Sequence, residues 1–64
     1  MKLTIGRIYN FTTLEKIFPQ QWEQKKYQGI LINSEINFIE IVDKEYGLIK
    51  IHRKQIWESE EVSG

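Results

Sequence analysis

The sequence predicts an all-β domain built around an antiparallel meander, and three observations carry that prediction. First, residues 27–56 contain three apolar, β-branched segments separated by short turns rich in Asn, Asp, Ser and Gly. Second, the 64 residues include eleven Ile and eight aromatic residues but no Ala, which favours strands over a helical bundle. Third, a chain this short forms one domain, and without cysteine it depends on a dense apolar core.

The N-terminal residues have the alternation typical of a half-buried strand. Leu3 and Ile5 alternate with polar residues, so we expect the first strand over residues 2–11. Gly6 then shifts the apolar phase, which predicts a bulge or kink at that position.

A different pattern begins at residues 12–26, which we expect to form a long first loop. Thr12 is followed three positions later by a Glu, the spacing of a helix capping box. Pro19 would end one helical turn or open a second one. We therefore expect one or two short helical turns that hold Phe18 and Trp22 against the domain, with a fully irregular loop as the alternative.

Three further strands are expected at residues 29–32, 36–42 and 48–52. The middle strand is apolar on both faces, which predicts a central strand covered on both sides, with Phe38 in the core. Gly47 closes the turn before the last of the three, and we expect it in the left-handed region that glycine tolerates.

The C-terminal part of the chain is predicted to turn sharply and then to end in an acidic tail. Residues 53–55 form the tight turn, residues 56–57 start a short last strand, and residues 58–64 follow as the tail. We see no repeat and no linker, so residues 1–62 are expected to form one domain, with residues 63–64 frayed.

Residues 7–11, with the sequence RIYNF, lead directly into the long loop. This segment resembles the ALYDY or ALYDF box of SH3 domains, and the order of elements resembles that of an SH3-like barrel over nearly the whole chain. Gly47 lies where that family has its distal hairpin, and residues 53–55 lie at its 3₁₀ turn. The resemblance implies a five-stranded antiparallel barrel. It makes Tyr9 and Phe11 candidate groove residues, with a place in the core as the alternative.

Other positions depart from the SH3 domains that bind proline-rich peptides. Those domains carry a Trp at the start of the third strand, where this chain has Ile36 or Phe38. Their 3₁₀ turn presents Pro and Tyr to the groove, where this chain has His52 and Gln55. These differences favour a ligand other than a proline-rich peptide.

Composition argues against several classes of function. Nine basic and nine acidic side chains give zero formal net charge, which does not favour bulk binding of a polyanion. The single His and single Asp, without any Cys, leave no catalytic triad and no metal-ligand spacing. We therefore expect a protein that is not an enzyme, with no catalytic residues, no cofactor and no metal.

The sequence also indicates where the protein works. No apolar run approaches a membrane span, and no signal-peptide pattern follows Met1, so we expect a cytoplasmic protein without membrane contact. The bias toward Ile, Lys, Asn and Glu is typical of AT-rich genomes, such as those of low-GC bacteria and their phages.

Two groups of side chains are candidates for contact with a partner. Lys50, His52, Arg53 and Lys54 form a basic group that would bind an anion or nucleic acid, or would simply be a solvated edge. The tryptophans are each flanked by polar residues, which predicts partial exposure typical of interface anchors. The predicted partner-binding residues are Tyr9, Phe11, Trp22, His52, Arg53, Lys54 and Trp57.

From these residues we expect a small protein-binding module, acting alone as a regulator or inhibitor and encoded by a phage or mobile element. The alternative is a small nucleic-acid-binding protein of the SH3-like or Sm-like kind that uses the basic group at residues 50–54.

Overall fold

The computed structural model describes residues 2–62, which form five β-strands and one 3₁₀ turn. All neighbouring strands pair antiparallel in a single sheet of order β4-β3-β2-β1-β5, and this sheet is not closed. The all-β class and the five antiparallel strands are thus confirmed. The strands are β1 (Ile8–Ile17), β2 (Gln21–Ser34), β3 (Phe38–Asp43), β4 (Gly47–His52) and β5 (Ile56–Glu61), with the 3₁₀ turn (Arg53–Gln55) before β5.

The first half of the chain is a long β-hairpin, so the expected helical turns within residues 12–26 are wrong. β1 and β2 pair without interruption from Ile8 opposite Ile30 to Ile17 opposite Gln21. Pairing along the whole hairpin satisfies backbone N–H and C=O groups that an isolated helical turn would leave without hydrogen bonds. Nucleation of a single helical turn is also unfavourable. The capping-box spacing therefore occurs here within a strand.

The first strand also begins later than predicted. Residues 2–7 contain no strand, and Gly6 lies in a turn with φ +94°. Leu3 nevertheless packs against the core, and the Gly6 amide donates to the carbonyl of Leu31 at 2.7 Å. The N-terminal segment is thus attached to β2 before β1 starts.

One face of the sheet carries the core, and Phe38 is not part of it. Phe38 is half-buried, and Ile36, in the turn before β3, is 90% exposed. Side chains alternate between faces along a strand, so β3 buries its other set, and the prediction of a strand covered on both sides is wrong. The buried apolar residues are Tyr9, Phe11, Leu31, Ile39, Ile41 and Ile51.

The turn between β3 and β4 has the predicted geometry. Gly47 has φ +77°, so its expected left-handed conformation is confirmed. The Asp43 carboxylate accepts hydrogen bonds from the amides of Glu45 at 2.6 Å and Tyr46 at 3.1 Å. The Asp carboxylate thus supplies hydrogen bonds to turn amides that have no partner on a neighbouring strand.

The acidic C-terminal segment belongs to the sheet. Residues 56–61 form β5, which pairs with β1, and the predicted tail is wrong for residues 58–61. The predicted fraying of residues 63–64 lies outside the described residues. Within residues 2–62, no helix has the length and apolar character needed to cross a membrane.

Candidate functional site

Part of the long hairpin extends beyond the rest of the sheet. β5 pairs with β1 only as far as Thr13, and β3 pairs with β2 only from Ile30 onward. Residues 14–24, which we call the arm, therefore pair only with each other. The described chain measures 38 × 26 × 19 Å, and its radius of gyration of 11.8 Å exceeds the roughly 10.7 Å typical of a compact domain of this length.

The end of the arm carries exposed apolar side chains. Phe18 is 96% exposed, Trp22 65% and Ile17 40%, and we call these three residues the arm tip. The predicted partial exposure of Trp22 is confirmed, but the expectation that Phe18 and Trp22 pack on the domain is wrong. No third strand pairs with this part of the hairpin, so nothing in the described chain supplies an apolar surface beside it.

A polar network holds the root of the arm. The Glu15 carboxylate accepts hydrogen bonds from the Tyr27 hydroxyl at 3.1 Å and from the Thr13 hydroxyl at 3.3 Å, and lies 3.9 Å from the Lys25 ammonium. Burial raises the pKa of Tyr27 above 10.0, and the hydrogen bond to Glu15 and the negative charges of Glu15 and Glu23 raise it further. The network therefore favours the neutral form of Tyr27.

The raised pKa of Tyr27 predicts a loss of stability at alkaline pH. The folded state keeps this hydroxyl protonated, so its contribution is complete below pH 10.0 and is lost as pH rises through the folded-state pKa. We expect the melting temperature of the parent to fall more steeply than that of Tyr27→Phe as the pH rises above about 10. Tyr46→Phe, at a tyrosine 75% exposed, serves as the matched control and should follow the parent. Parallel curves for the parent and Tyr27→Phe would mean that the hydroxyl makes no such contribution.

The Arg53 guanidinium is engaged within the fold. Its Nε donates to the carbonyl of Glu35 at 2.6 Å, and its terminal nitrogen donates to the Ser34 hydroxyl at 2.5 Å. The Arg53 amide also donates to the carbonyl of Asn37 at 2.9 Å. These bonds attach the 3₁₀ turn to the turn between β2 and β3, so this side chain has a structural role beside any contact with a partner.

The other members of the basic group differ in their surroundings. Lys50 and His52 lie on the same face of β4, and the Lys50 ammonium lies 4.1 Å from the centre of the Phe38 ring. Glu40 is the direct cross-strand neighbour of Lys50. Lys50, His52 and Lys54 are all exposed, and the contacts with Phe38 and Glu40 offset part of the positive charge of Lys50 alone.

The predicted partner-binding residues fall on three parts of the fold. Tyr9 and Phe11 are 4% and 0% exposed, so the core alternative applies to both and neither offers a groove surface. Trp57 is 65% exposed on β5, where the pairing with β1 shifts register. His52, Arg53 and Lys54 lie just before it, and Trp22 lies on the arm.

The sequence reasoning missed Phe18 as an exposed residue. The local signal was the Pro after Phe18, because proline is rare inside strands and common in turns. The flanking segments lack the period-two alternation that would have marked them as strands.

Neither a metal site nor a similarity to known proteins assigns a function to this chain. Within residues 2–62, no group of three or more His, Asp or Glu side chains is arranged to hold a metal ion. The chain matches no protein-family model, no curated protein and no solved structure. The arrangement of its own residues is therefore the basis for a functional proposal.

Proposed function

We propose that this chain is a non-enzymatic protein-binding module that contacts its partner through the arm tip. The observation that carries the proposal is the exposure of Phe18 and Trp22 at the end of an arm that no other strand covers. Water-exposed aromatic side chains in such a group are costly for an isolated soluble protein and are typical of interaction sites. In this proposal the module acts as a regulator or inhibitor by occupying a site on another protein.

We further propose that this open five-stranded sheet has the topology of an SH3-like barrel. Three features support this: the strand order, the long hairpin joining the first two strands, and the 3₁₀ turn just before the last strand. Pairing of the first strand with the last also fits that topology. The arm would then occupy the place of the long first loop, with the aromatic tip as its binding element.

The chemistry of the tip indicates what it binds. Its exposed side chains are apolar, and the arm carries only two Glu and one Lys, so charge contributes little to the choice of partner. A protruding apolar tip fits a concave apolar pocket, where removal of water from an aromatic ring contributes most. We therefore propose an apolar cleft on a folded protein as the binding site of the partner.

The alternative, nucleic-acid binding through the basic group at residues 50–54, has less support. Lys50 lies over Phe38, and the Arg53 guanidinium donates to Glu35 and Ser34. A phosphate would compete with these contacts for both cations. Protein binding through the tip requires no such exchange.

The test begins with the partner recovered from the native host on immobilised protein. We expect Trp22→Ala to weaken binding of that purified partner by about 2 kcal/mol, or roughly thirtyfold, because Trp is the residue type that most often dominates interface energy. Phe18→Ala should act in the same direction. The matched control is Tyr46→Ala, another exposed aromatic residue on a different turn, which should bind like the parent.

A thermal melt of each variant separates lost contact from lost folding. Normal binding by both Trp22→Ala and Phe18→Ala would contradict the proposal, as would an equal loss with Tyr46→Ala. Affinity for RNA or DNA with a steep dependence on salt, abolished by Lys54→Ala, would instead favour the nucleic-acid alternative.

A further inference from the structure

Four apolar side chains form a continuous row across the face of the sheet opposite to the core. Ile8 lies opposite Ile30, Ile30 opposite Val42, and Val42 opposite Leu48, so the row crosses β1, β2, β3 and β4. Their exposures are 41%, 44%, 40% and 61% in that order. Val62, whose amide donates to the carbonyl of Ile8 at 2.8 Å, lines the same surface groove as three of them. We call these five residues the outer row.

Polar residues border the outer row on both sides. Asn10 and Gln28 pair across β1 and β2 on one side, and Glu40 and Lys50 pair across β3 and β4 on the other. An apolar centre with a polar rim is the usual anatomy of a protein interface. The arm tip lies outside this row, on the part of the hairpin that extends beyond the sheet.

The total surface of the chain is larger than that of a compact monomer. The accessible surface is 5160 Å², whereas a folded monomer of 7.7 kDa exposes about 4,300 Å². The excess is about 860 Å², which is close to the roughly 800 Å² that one subunit contributes to an interface of standard size. Covering the outer row would remove part of this excess.

The core is also small for a chain without covalent or metal support. Among residues 2–62, six apolar residues are buried while twelve large hydrophobic residues are exposed. There is no cysteine, and the described residues contain no cluster of metal-binding side chains. Association with another chain is one way in which domains of this size that lack both gain stability.

We propose that two copies of this chain form a symmetric dimer by packing their outer rows against each other. A second copy is always present wherever the protein is made, and zero formal net charge means that two copies do not repel. Both signs of charge border the row, so a two-fold arrangement can pair them. The two sheets would lie about 10 Å apart, as in a β-sandwich.

The experiment measures the mass of the full chain in solution by sedimentation or light scattering over a range of concentrations. We expect the parent to be a dimer at micromolar concentration, with a melting temperature that rises with concentration. Leu48→Lys should weaken dimerisation at least about a hundredfold, because two-fold symmetry brings the new charge into the apolar interface from both copies. Ile30→Lys, at the centre of the row, should do the same.

The matched control is Ile36→Lys, which changes a 90% exposed isoleucine outside the row and should leave the dimer intact. Leu48 is the most exposed of the four outer-row residues on β1 to β4, so a Lys at this position disturbs the fold least. Leu48→Lys therefore decides the test if Ile30→Lys fails to fold. A parent that is monomeric at high micromolar concentration overturns the proposal. The outer row would then be a binding surface for a different protein. A dimer that survives Leu48→Lys, or that Ile36→Lys also dissociates, overturns it as well.

Discussion

We expect Phe11→Ala to destabilise the fold by about 3–5 kcal/mol, the usual cost of deleting a buried Phe side chain. Phe11 is 0% exposed and its ring centre lies 5.7 Å from that of Tyr9, so truncation leaves a cavity in a core of few residues. Small domains are often stable by only about 5 kcal/mol, so the variant should be largely unfolded at room temperature. The measurement is chemical denaturation followed by circular dichroism.

The matched control for this change is Phe18→Ala, which removes the same atoms from a side chain that is 96% exposed. It should change the free energy of unfolding by about 0.5 kcal/mol or less, as surface substitutions usually do. Comparable destabilisation by both variants would contradict the division between core and arm tip. If Phe18→Ala alone were destabilising, the arm would have to fold back onto the domain in solution.

Gly29→Ala should destabilise by about 3 kcal/mol, at the upper end of the range for overpacked sites. A Cβ atom added at Gly29 would lie 2.5 Å from the carbonyl oxygen of Val42 and 2.9 Å from its carbonyl carbon. Both contacts are with backbone of β3, which no side-chain rotation can relieve. The strands β2 and β3 would have to separate locally, and denaturant unfolding measures the cost.

Gly47 provides the contrast, because its substitution is unfavourable for another reason. A Cβ atom there meets nothing within 4 Å, but φ is +77°. Gly47→Ala should cost about 1–2 kcal/mol, and Gly47→Asn less, since Asn adopts left-handed conformations more readily. Gly29→Asn should be at least as harmful as Gly29→Ala. If Asn were tolerated equally well at both positions, close approach of the strands would not explain Gly29.

The elements that the sequence predicts well are those with local signals. The hairpin at Gly47, the tight turn over residues 53–55 and the strands around them depend on turn residues and short apolar segments close together in the chain. The long hairpin depends instead on residues 21–30 pairing with β1. Local spacing at Thr12 indicated a helix, and the distant partner strand overrode it.

The candidate site was harder to predict because it depends on which face of each strand is buried. Phe38 and Ile39 are neighbours with similar hydrophobicity, and a shift of one residue exchanges core and surface. Pairing of Ile39 with Ile51 fixes which of the two residues is buried, and the sequence pattern alone does not show this register. The outer row follows from the same register, so it becomes visible only once four strands are aligned.

The open sheet has two edges, and they carry opposite charge. β4 carries Lys50 and leads directly to Lys54, whereas β5 carries Glu58 and Glu60. Unpaired edge strands readily add strands from other molecules. Symmetric pairing of β4 with β4, or of β5 with β5, would bring like charges together, which disfavours closed pairs formed through the edges.

Pairing of β4 in one molecule with β5 in the next would not meet that repulsion. Such a head-to-tail contact repeats in one direction without closing, and so leads to fibres rather than to a defined oligomer. The short edge strands of six residues each and the irregular pairing beside Trp57 limit this growth. The shape of the two edges therefore limits head-to-tail growth, and salt would weaken it further by screening the attraction between the oppositely charged edges.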